Sequence, residues 1–445
     1  MSERIHLISL GCPTNRVDSE VMMGQLRDGP FEFVDSPEDA ESIIVNTCSF
    51  LQSTTEESID TILDMAKYKN VGCCQKLIVT GCMVQRYGQG LEGELPEVDF
   101  FLGTGEYHRI SEVIAKKNPD IRSFIDTPMY IHDEFAPRVL SWRIHSAYLK
   151  ISEGCNHRCT FCIIPTLRGT QRSRTIASLV AEAERLANQG VVELNLVSQD
   201  STSYGRDLKD GSQLGTLLRS LARIDGIRWI RLHYAYPIGI PNSLLEVIAE
   251  EEKVCSYIDL PLQHASGPML KHMRRGVTRS GQERILERIR TTIPNVTVRT
   301  TFIVGFPHET QDDFDILKDF VQAQQFDRVG IFTYSQEDGT EAAKMDGQVP
   351  HLIRMHRQEE LMNVQAQISA DRLARHRGEI VEVLVDGSSK EHELVKVGRT
   401  SLQAPDVDGV VFLDKAPEEL QAGTFAHVKI TQTTAHDMVG EVVST

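Results

Sequence analysis

Residues 152–165, "SEGCNHRCTFCIIP", place three thiols within eight positions, at Cys155, Cys159 and Cys162. Thiolates are soft ligands that select zinc, copper or iron–sulfur clusters. Three on one short loop can wrap a single iron–sulfur cube and leave one iron without a protein ligand. The spacing i, i+4, i+7 would also suit one helix face, with the thiols packed as small hydrophobes. The flanks argue for a loop instead. "AYLKIS" reads as a strand, Gly154 breaks the run, and Pro165 and Gly169 bracket the far side. Chemistry in α/β folds collects at such carboxyl ends of strands.

A second triplet is spread much wider. Cys12, Cys48 and Cys82 lie 36 and 34 residues apart, and each directly follows an apolar run: "HLISLGC", "SIIVNTC", "KLIVTGC". In a parallel sheet all three strand ends share one edge, so three distant thiols converge there. Cys73 and Cys74 precede "KLIVT", and Cys255 precedes "YIDLPL". These three belong at the opposite edge and read as structural.

The elements that must position these thiols follow from the hydrophobic period. A chain of 445 residues should hold about three domains of roughly 150 residues. Residues 1–115 alternate the runs "IHLISL", "SIIVN" and "KLIVT" with helix-period segments, and "LPEVDFFLGTGE" adds a fourth candidate strand. That pattern predicts an N-terminal parallel α/β domain. Residues 116–146, with Pro119, Pro128 and Pro137, read as a linker or hairpin. Residues 147–378 give six further runs separated by helical stretches such as 176–189, 280–293 and 310–324, then a long helix over 352–378. Six βα units imply a partial barrel or an open parallel sheet. From 379 to 445 the period switches to two, and five short strands predict a small antiparallel β-barrel of the oligonucleotide-binding shape.

Composition narrows the setting. No run approaches the 18 apolar residues of a membrane span, and the N-terminus, with a five-residue apolar stretch, is too short for a signal peptide. The expected location is the cytoplasm, where nine cysteines point to metal binding or catalysis rather than disulfides. A formal net charge of −16 does not favour a general phosphate-binding surface.

Cys-x3-Cys-x2-Cys after the first strand of a six-unit βα domain resembles the radical S-adenosylmethionine (SAM) superfamily. The resemblance implies a [4Fe–4S] cluster whose open iron binds the amino and carboxylate groups of SAM. An electron from the cluster then cleaves SAM to a 5′-deoxyadenosyl radical. It also places Phe161, inside the triplet, near the adenine. Gln199 and Asp200, Arg231 and His233, Gln263 and His264, and Gly305 and Glu309 stand at the other strand ends. Of these, Gln199, Arg231, Gln263 and Glu309 are the expected SAM contacts beside Phe161. Taken singly, Arg231 and Glu309 read equally as ion pairs, and His233 or His264 as a satisfied core histidine.

"SLGCPTNRVDSE", "VNTC" and "VTGC" resemble the N-terminal domain of the methylthiotransferases, a radical SAM branch with two clusters and a C-terminal TRAM domain. The resemblance spans essentially the whole chain. It implies an auxiliary [4Fe–4S] cluster on Cys12, Cys48 and Cys82. One departure is Thr14, where the family pattern "GCPKN" carries lysine; the ligands are intact, but a positive charge beside Cys12 is missing.

Two branches differ in substrate: modified adenosine in transfer RNA, or an aspartate of a small-subunit ribosomal protein. Residues 379–445 hold 12 Asp and Glu against 5 Lys and Arg, a net of −7. RNA-gripping barrels should be basic, so RNA binding is not favoured and a basic ribosomal protein suits better, docked on acids such as Asp406, Asp408, Glu418 and Glu419. "GCNHRCTFCIIPTLRG", "SQDSTSYG", "LHYAYP" and "LPLQHAS" also resemble the ribosomal-protein branch; the transfer-RNA branch typically shows "CNKYCTYC" and "LPVQSGS". The resemblance implies methylthiolation of the aspartate β-carbon with two SAM molecules and a low-potential donor of the flavodoxin or ferredoxin type. The alternatives are a transfer-RNA methylthiotransferase, or a non-enzymatic iron–sulfur or zinc scaffold with a binding barrel.

Overall fold

The computed structural model of the chain describes residues 2–115, 121–389 and 394–444. Pro119 and the rest of 116–120, within the expected linker, lie outside the described residues.

The N-terminal strands are β1 (Glu3–Ser9), β2 (Phe31–Phe33), β3 (Ser42–Thr47), β4 (Lys76–Gly81), β5 (Phe100–Leu102) and β6 (Ser123–Phe124). They form one parallel sheet in the order β2-β1-β3-β4-β5-β6. Every residue of β3 is buried, as a strand covered on both faces requires. Ile5, Ile44, Ile78 and Phe100 pack on one side, Ile43, Val45, Leu77 and Phe101 on the other. β2 and β6 were not predicted. β6 comes from the segment read as linker, so that segment adds a strand to the first sheet. Downstream, Arg138 donates to Glu20 Oε2 at 2.6 Å and to Glu182 Oε1 at 2.8 Å, tying the same strap to both neighbouring domains.

The central strands are β7 (Ser146–Lys150), the short pair β8 (Ser152–Glu153) and β9 (Arg172–Ser173), then β10 (Glu193–Val197), β11 (Trp229–Leu232), β12 (Val254–Asp259), β13 (Thr297–Val304) and β14 (Arg328–Thr333). All six predicted runs are strands, in the sequential parallel order β14-β13-β12-β11-β10-β7. Side chains alternate along them with period two. Leu149, Leu194, Leu196, Ile230, Leu232 and Ile258 join the core beneath the helices. The alternate positions Lys150, Glu193, Asn195, Arg231, His233 and Asp259 are also buried, but polar. The hollow of the sheet is therefore lined by charge and must be satisfied by pairing.

The C-terminal strands β15 (Ile380–Ser388), β16 (Lys396–Arg399), β17 (Val411–Asp414), β18 (Phe425–Thr433) and β19 (Met438–Ser444) close into a barrel ordered β15-β16-β17-β19-β18. It is not wholly antiparallel: β17 and β19 pair parallel. An odd number of strands cannot alternate direction around a closed ring, so one pair must run the same way. This barrel docks on the strand starts of the central sheet. Arg399 is bound by Glu193 at 2.8 Å and by Asp386 at 2.7 Å, and Asp386 also takes His145 at 3.0 Å. Among the described residues no helix is long and apolar enough to cross a membrane.

Candidate functional site

The Cys155–Cys162 loop leaves β7 at its carboxyl end and is closed by the β8–β9 pair, which sets Glu153 against Arg172. Gly154 adopts φ +84°, and a Cβ there would collide with the backbone of Thr170. A side chain at 154 would force that closure open. Cys155 N–H donates to Gly169 O at 3.1 Å, and Thr160 Oγ1 donates to His272 O at 2.8 Å. His157 hydrogen-bonds Asp200 Oδ2 at 2.7 Å and stacks on Tyr236 with ring centroids 3.7 Å apart. Arg275 lies over the same ring and donates to Cys159 Sγ at 3.5 Å. Burial pushes the Cys155 thiol up to about 11 and the Cys162 thiol up to about 12, with the neighbouring thiols adding to it.

The second triplet is assembled from three strand ends. Cys12 follows β1 and opens the helix Pro13–Arg27, Cys48 follows β3, and Cys82 opens the helix Cys82–Tyr87 after β4. Gly11, at φ +86°, lets the first end approach the second: a Cβ there would lie 2.6 Å from Cys48 Cβ and 2.9 Å from its Sγ. Asn15 staples the ends, its Nδ2 donating to Leu10 O at 3.0 Å and Thr47 O at 2.8 Å. Thr47 Oγ1 carries the staple on to Thr80 O at 2.6 Å. Burial raises Cys48, and raises Cys82 to about 12 against the opposing charge of Arg168; Cys12 pushes both further up, and Cys48 adds to the rise of Cys82. Thr14, the departure from the family pattern, sets its hydroxyl 2.9 Å from Cys12 Sγ. A polar group therefore still meets that thiol, without charge.

The second triplet touches the segment that follows the first. Cys82 packs against Ile163 and Leu167, the residues that follow Cys162, and Arg168 Nη2 donates to Cys82 Sγ at 3.5 Å. All nine cysteines are free. Among the described residues no three His, Cys, Asp or Glu side chains close on one point as ligands of a single ion do. Thiolates that each bind a different iron of a cube need no common point. Buried Cys82 and half-buried Cys159, each with an arginine donor beside it, suit an anionic thiolate cluster, which would bind with release of the thiol protons.

The expected SAM contacts separate into two groups. Phe161 packs at the rim of an apolar patch with Met269, Met273, Phe306 and Tyr334. Gln199 accepts Gly154 N–H at 2.7 Å and donates to Glu153 at 3.1 Å, bracing the loop. Gln263 holds φ +74° with its buried Oε1 unpartnered. The other two are committed elsewhere. Arg231 lies in the middle of the sheet's polar face and turns to the strand starts, donating to Glu193 and to Ser401 O at 2.6 Å. It belongs to the docking of the C-terminal barrel. Glu309 is fully enclosed by Arg357 at 3.2 Å, Gly305 N–H and His264, and locks the long helix His351–Leu373 to the sheet. His233 is buried beside Asn195, and burial lowers it to about 3. Of the acids expected to form a docking surface, Asp408 is enclosed and takes the Tyr257 hydroxyl at 2.8 Å, while Asp406 stays exposed and takes Arg16 and the Tyr148 hydroxyl, each at 3.2 Å.

Family models match the chain in three blocks: Uncharacterized protein family UPF0004 over 4–103, the Radical SAM superfamily over 149–321 and a TRAM domain over 378–443. A radical SAM methyltransferase, TsrM from Kitasatospora setae, shares the fold with TM-score 0.56 at 15% identity, over 75% of each chain. The cobalamin-dependent radical enzyme OxsB gives TM-score 0.54 at 12% identity, over 82% of this chain and 56% of its own. Fold and domain content thus define a radical SAM enzyme with a TRAM barrel. The sequence relatives are narrower. The chain is 47% identical to the ribosomal protein uS12 methylthiotransferase RimO of Pelobacter propionicus, over 99% of this chain and 98% of that one. It is equally 47% identical to RimO of Geobacter sulfurreducens, over 99% of each. The chain belongs to the RimO family of radical SAM methylthiotransferases.

Proposed function

We propose that this chain places a methylthio group on the β-carbon of an aspartate in ribosomal protein uS12, the protein named for its relatives. Cys155, Cys159 and Cys162 would hold the SAM-binding [4Fe–4S] cluster that the superfamily implies, and Cys12, Cys48 and Cys82 a second, auxiliary one. When bound, these groups and two SAM molecules supply a hydrogen-abstracting radical, the methyl group and the sulfur. An unactivated C–H offers no acid–base route, which is why the reaction needs that chemistry. The carrying observation is the packing of Cys82 against Ile163 and Leu167, which supports one substrate residue being served by both thiol sets.

The chain's own groups do the positioning. Half-buried Phe161, backed by the buried Met273 and Phe306, gives an apolar shelf for the adenine, and the free Oε1 of Gln263 an acceptor. Half-buried Cys159 beside exposed Arg158 offers a route in for an electron from a flavodoxin- or ferredoxin-type donor. On the acidic C-terminal barrel, Glu418 and Glu419 remain exposed for a basic protein. Mass spectrometry of uS12 and of transfer RNA from a deletion strain tests the substrate. Complementation should restore methylthio-aspartate in uS12. Restoration of a methylthio group on transfer RNA alone would overturn the reading.

A further inference from the structure

We propose that Arg168 sets the reduction equilibrium of the auxiliary cluster and holds it in register with the SAM-binding loop. This rests on the assignment of Cys12, Cys48 and Cys82 to a cluster. Arg168 is 2% exposed and ends the short helix Ile164–Arg168, which begins two residues after Cys162. Its Nη2 donates to Cys82 Sγ at 3.5 Å and to Asn15 Oδ1. Its Nη1 donates to Asp18 Oδ2 at 2.7 Å and Glu153 Oε2 at 3.4 Å. Lys150 Nζ completes the set, bound to Asp18 and, at 2.6 Å, to Glu153. One guanidinium thus touches a thiol of one triplet, the staple residue Asn15, and the carboxylate of Glu153 two residues before Cys155. A lysine would keep the charge that acts on the cluster but has no planar fork with which to meet sulfur, amide and two carboxylates together.

The sign of the effect follows from charge. Arg168 and Lys150 face Asp18 and Glu153, two cations against two carboxylates, so the network is neutral. Reduction adds a negative charge to a cluster, and a buried donor cation on a ligand sulfur favours that state. Without the guanidinium, the network is left with a net −1 beside Cys82, and reduction is disfavoured.

The test uses the full chain, reconstituted anaerobically, with Cys155, Cys159 and Cys162 changed to Ala so that one cluster signal remains. Its midpoint potential is followed by EPR-monitored redox titration. Arg168→Gln should shift the equilibrium about tenfold toward the oxidised state, about 59 mV for one electron. Asp18→Asn should shift it the opposite way, and Arg168→Lys should stay near the parent. An unmoved potential in Arg168→Gln, or shifts of one sign in the Gln and Asn variants, would overturn the proposal. If Arg168→Gln takes up no iron, iron retained by Arg168→Lys upholds a required charge, and loss in both overturns it. A parent protein that itself holds no iron would instead overturn the cluster assignment of the second triplet.

Discussion

The two thiol triplets are built by opposite routes. Cys155, Cys159 and Cys162 come from one loop, closed locally by β8–β9 and by the Gly154 turn. Cys12, Cys48 and Cys82 exist as a group only once three strands have paired and Asn15 and Thr47 have stapled their ends. Each set nonetheless meets one buried arginine at 3.5 Å, Arg275 on Cys159 and Arg168 on Cys82. The difference teaches where each site is vulnerable. A local loop fails through its own residues; an assembled site fails through any polar staple in its sheet.

The largest expected effect is on the local set. Changing Cys155, Cys159 and Cys162 to Ala should abolish SAM cleavage and lower reconstituted iron from about eight to about four per chain, one cube being lost. Unchanged iron content would break the comparison at its root. Next comes the third region, the C-terminal barrel. Glu193→Ala strips the buried Arg399 and Arg231 of a partner and should cost about 3–5 kcal/mol, read as a drop in thermal unfolding, while both thiol sites keep their local contacts.

Acid should undo the same docking. Burial raises Glu193 and Asp386, but Arg399 and its companions outweigh that and hold both below their ordinary carboxylate values. A depressed carboxyl contributes stability that is fully present above its unfolded value and is lost as pH falls through the folded one. Limited proteolysis of apo-protein between pH 7 and pH 3 should release the barrel only toward the acid end; release near neutrality would contradict it.

A subtler probe separates the two sets. Asn15→Ala should cost about 1–3 kcal/mol for the buried groups left unpaired and deplete the auxiliary iron, with SAM cleavage retained. Smallest of all is Cys73→Ser, an exposed thiol whose loss should leave iron content and both reactions unchanged.

Much of this was legible in sequence because it was periodic or local. The six central strands announced themselves as apolar runs, and Gly154 with Pro165 marked the loop. The second triplet was readable only through topology, each cysteine following a strand. What escaped was charge inside the sheet. Arg231 sits among apolar neighbours at a strand's end in sequence, but the period-two alternation that places Leu232 under the helices turns Arg231 into the hollow, toward Glu193. The ion pair of Glu309 is not legible in sequence, because its partner, Arg357, lies 48 residues away on a helix that carries no pairing signal. The roles of Arg168 and Arg275 are silent in sequence for the same reason: nothing local couples an arginine to a thiol. β2 and β6, at three and two residues, are too short to carry a period.

The division of labour between the triplets is tested most directly by the variant with Cys12, Cys48 and Cys82 changed to Ala, supplied with SAM, a low-potential reductant and uS12. Chromatography for 5′-deoxyadenosine and mass spectrometry of uS12 are read from the same reaction. The expected result is continued formation of 5′-deoxyadenosine with no methylthiolated uS12. Methylthiolated uS12 from that variant would contradict the assignment of the assembled site to sulfur transfer.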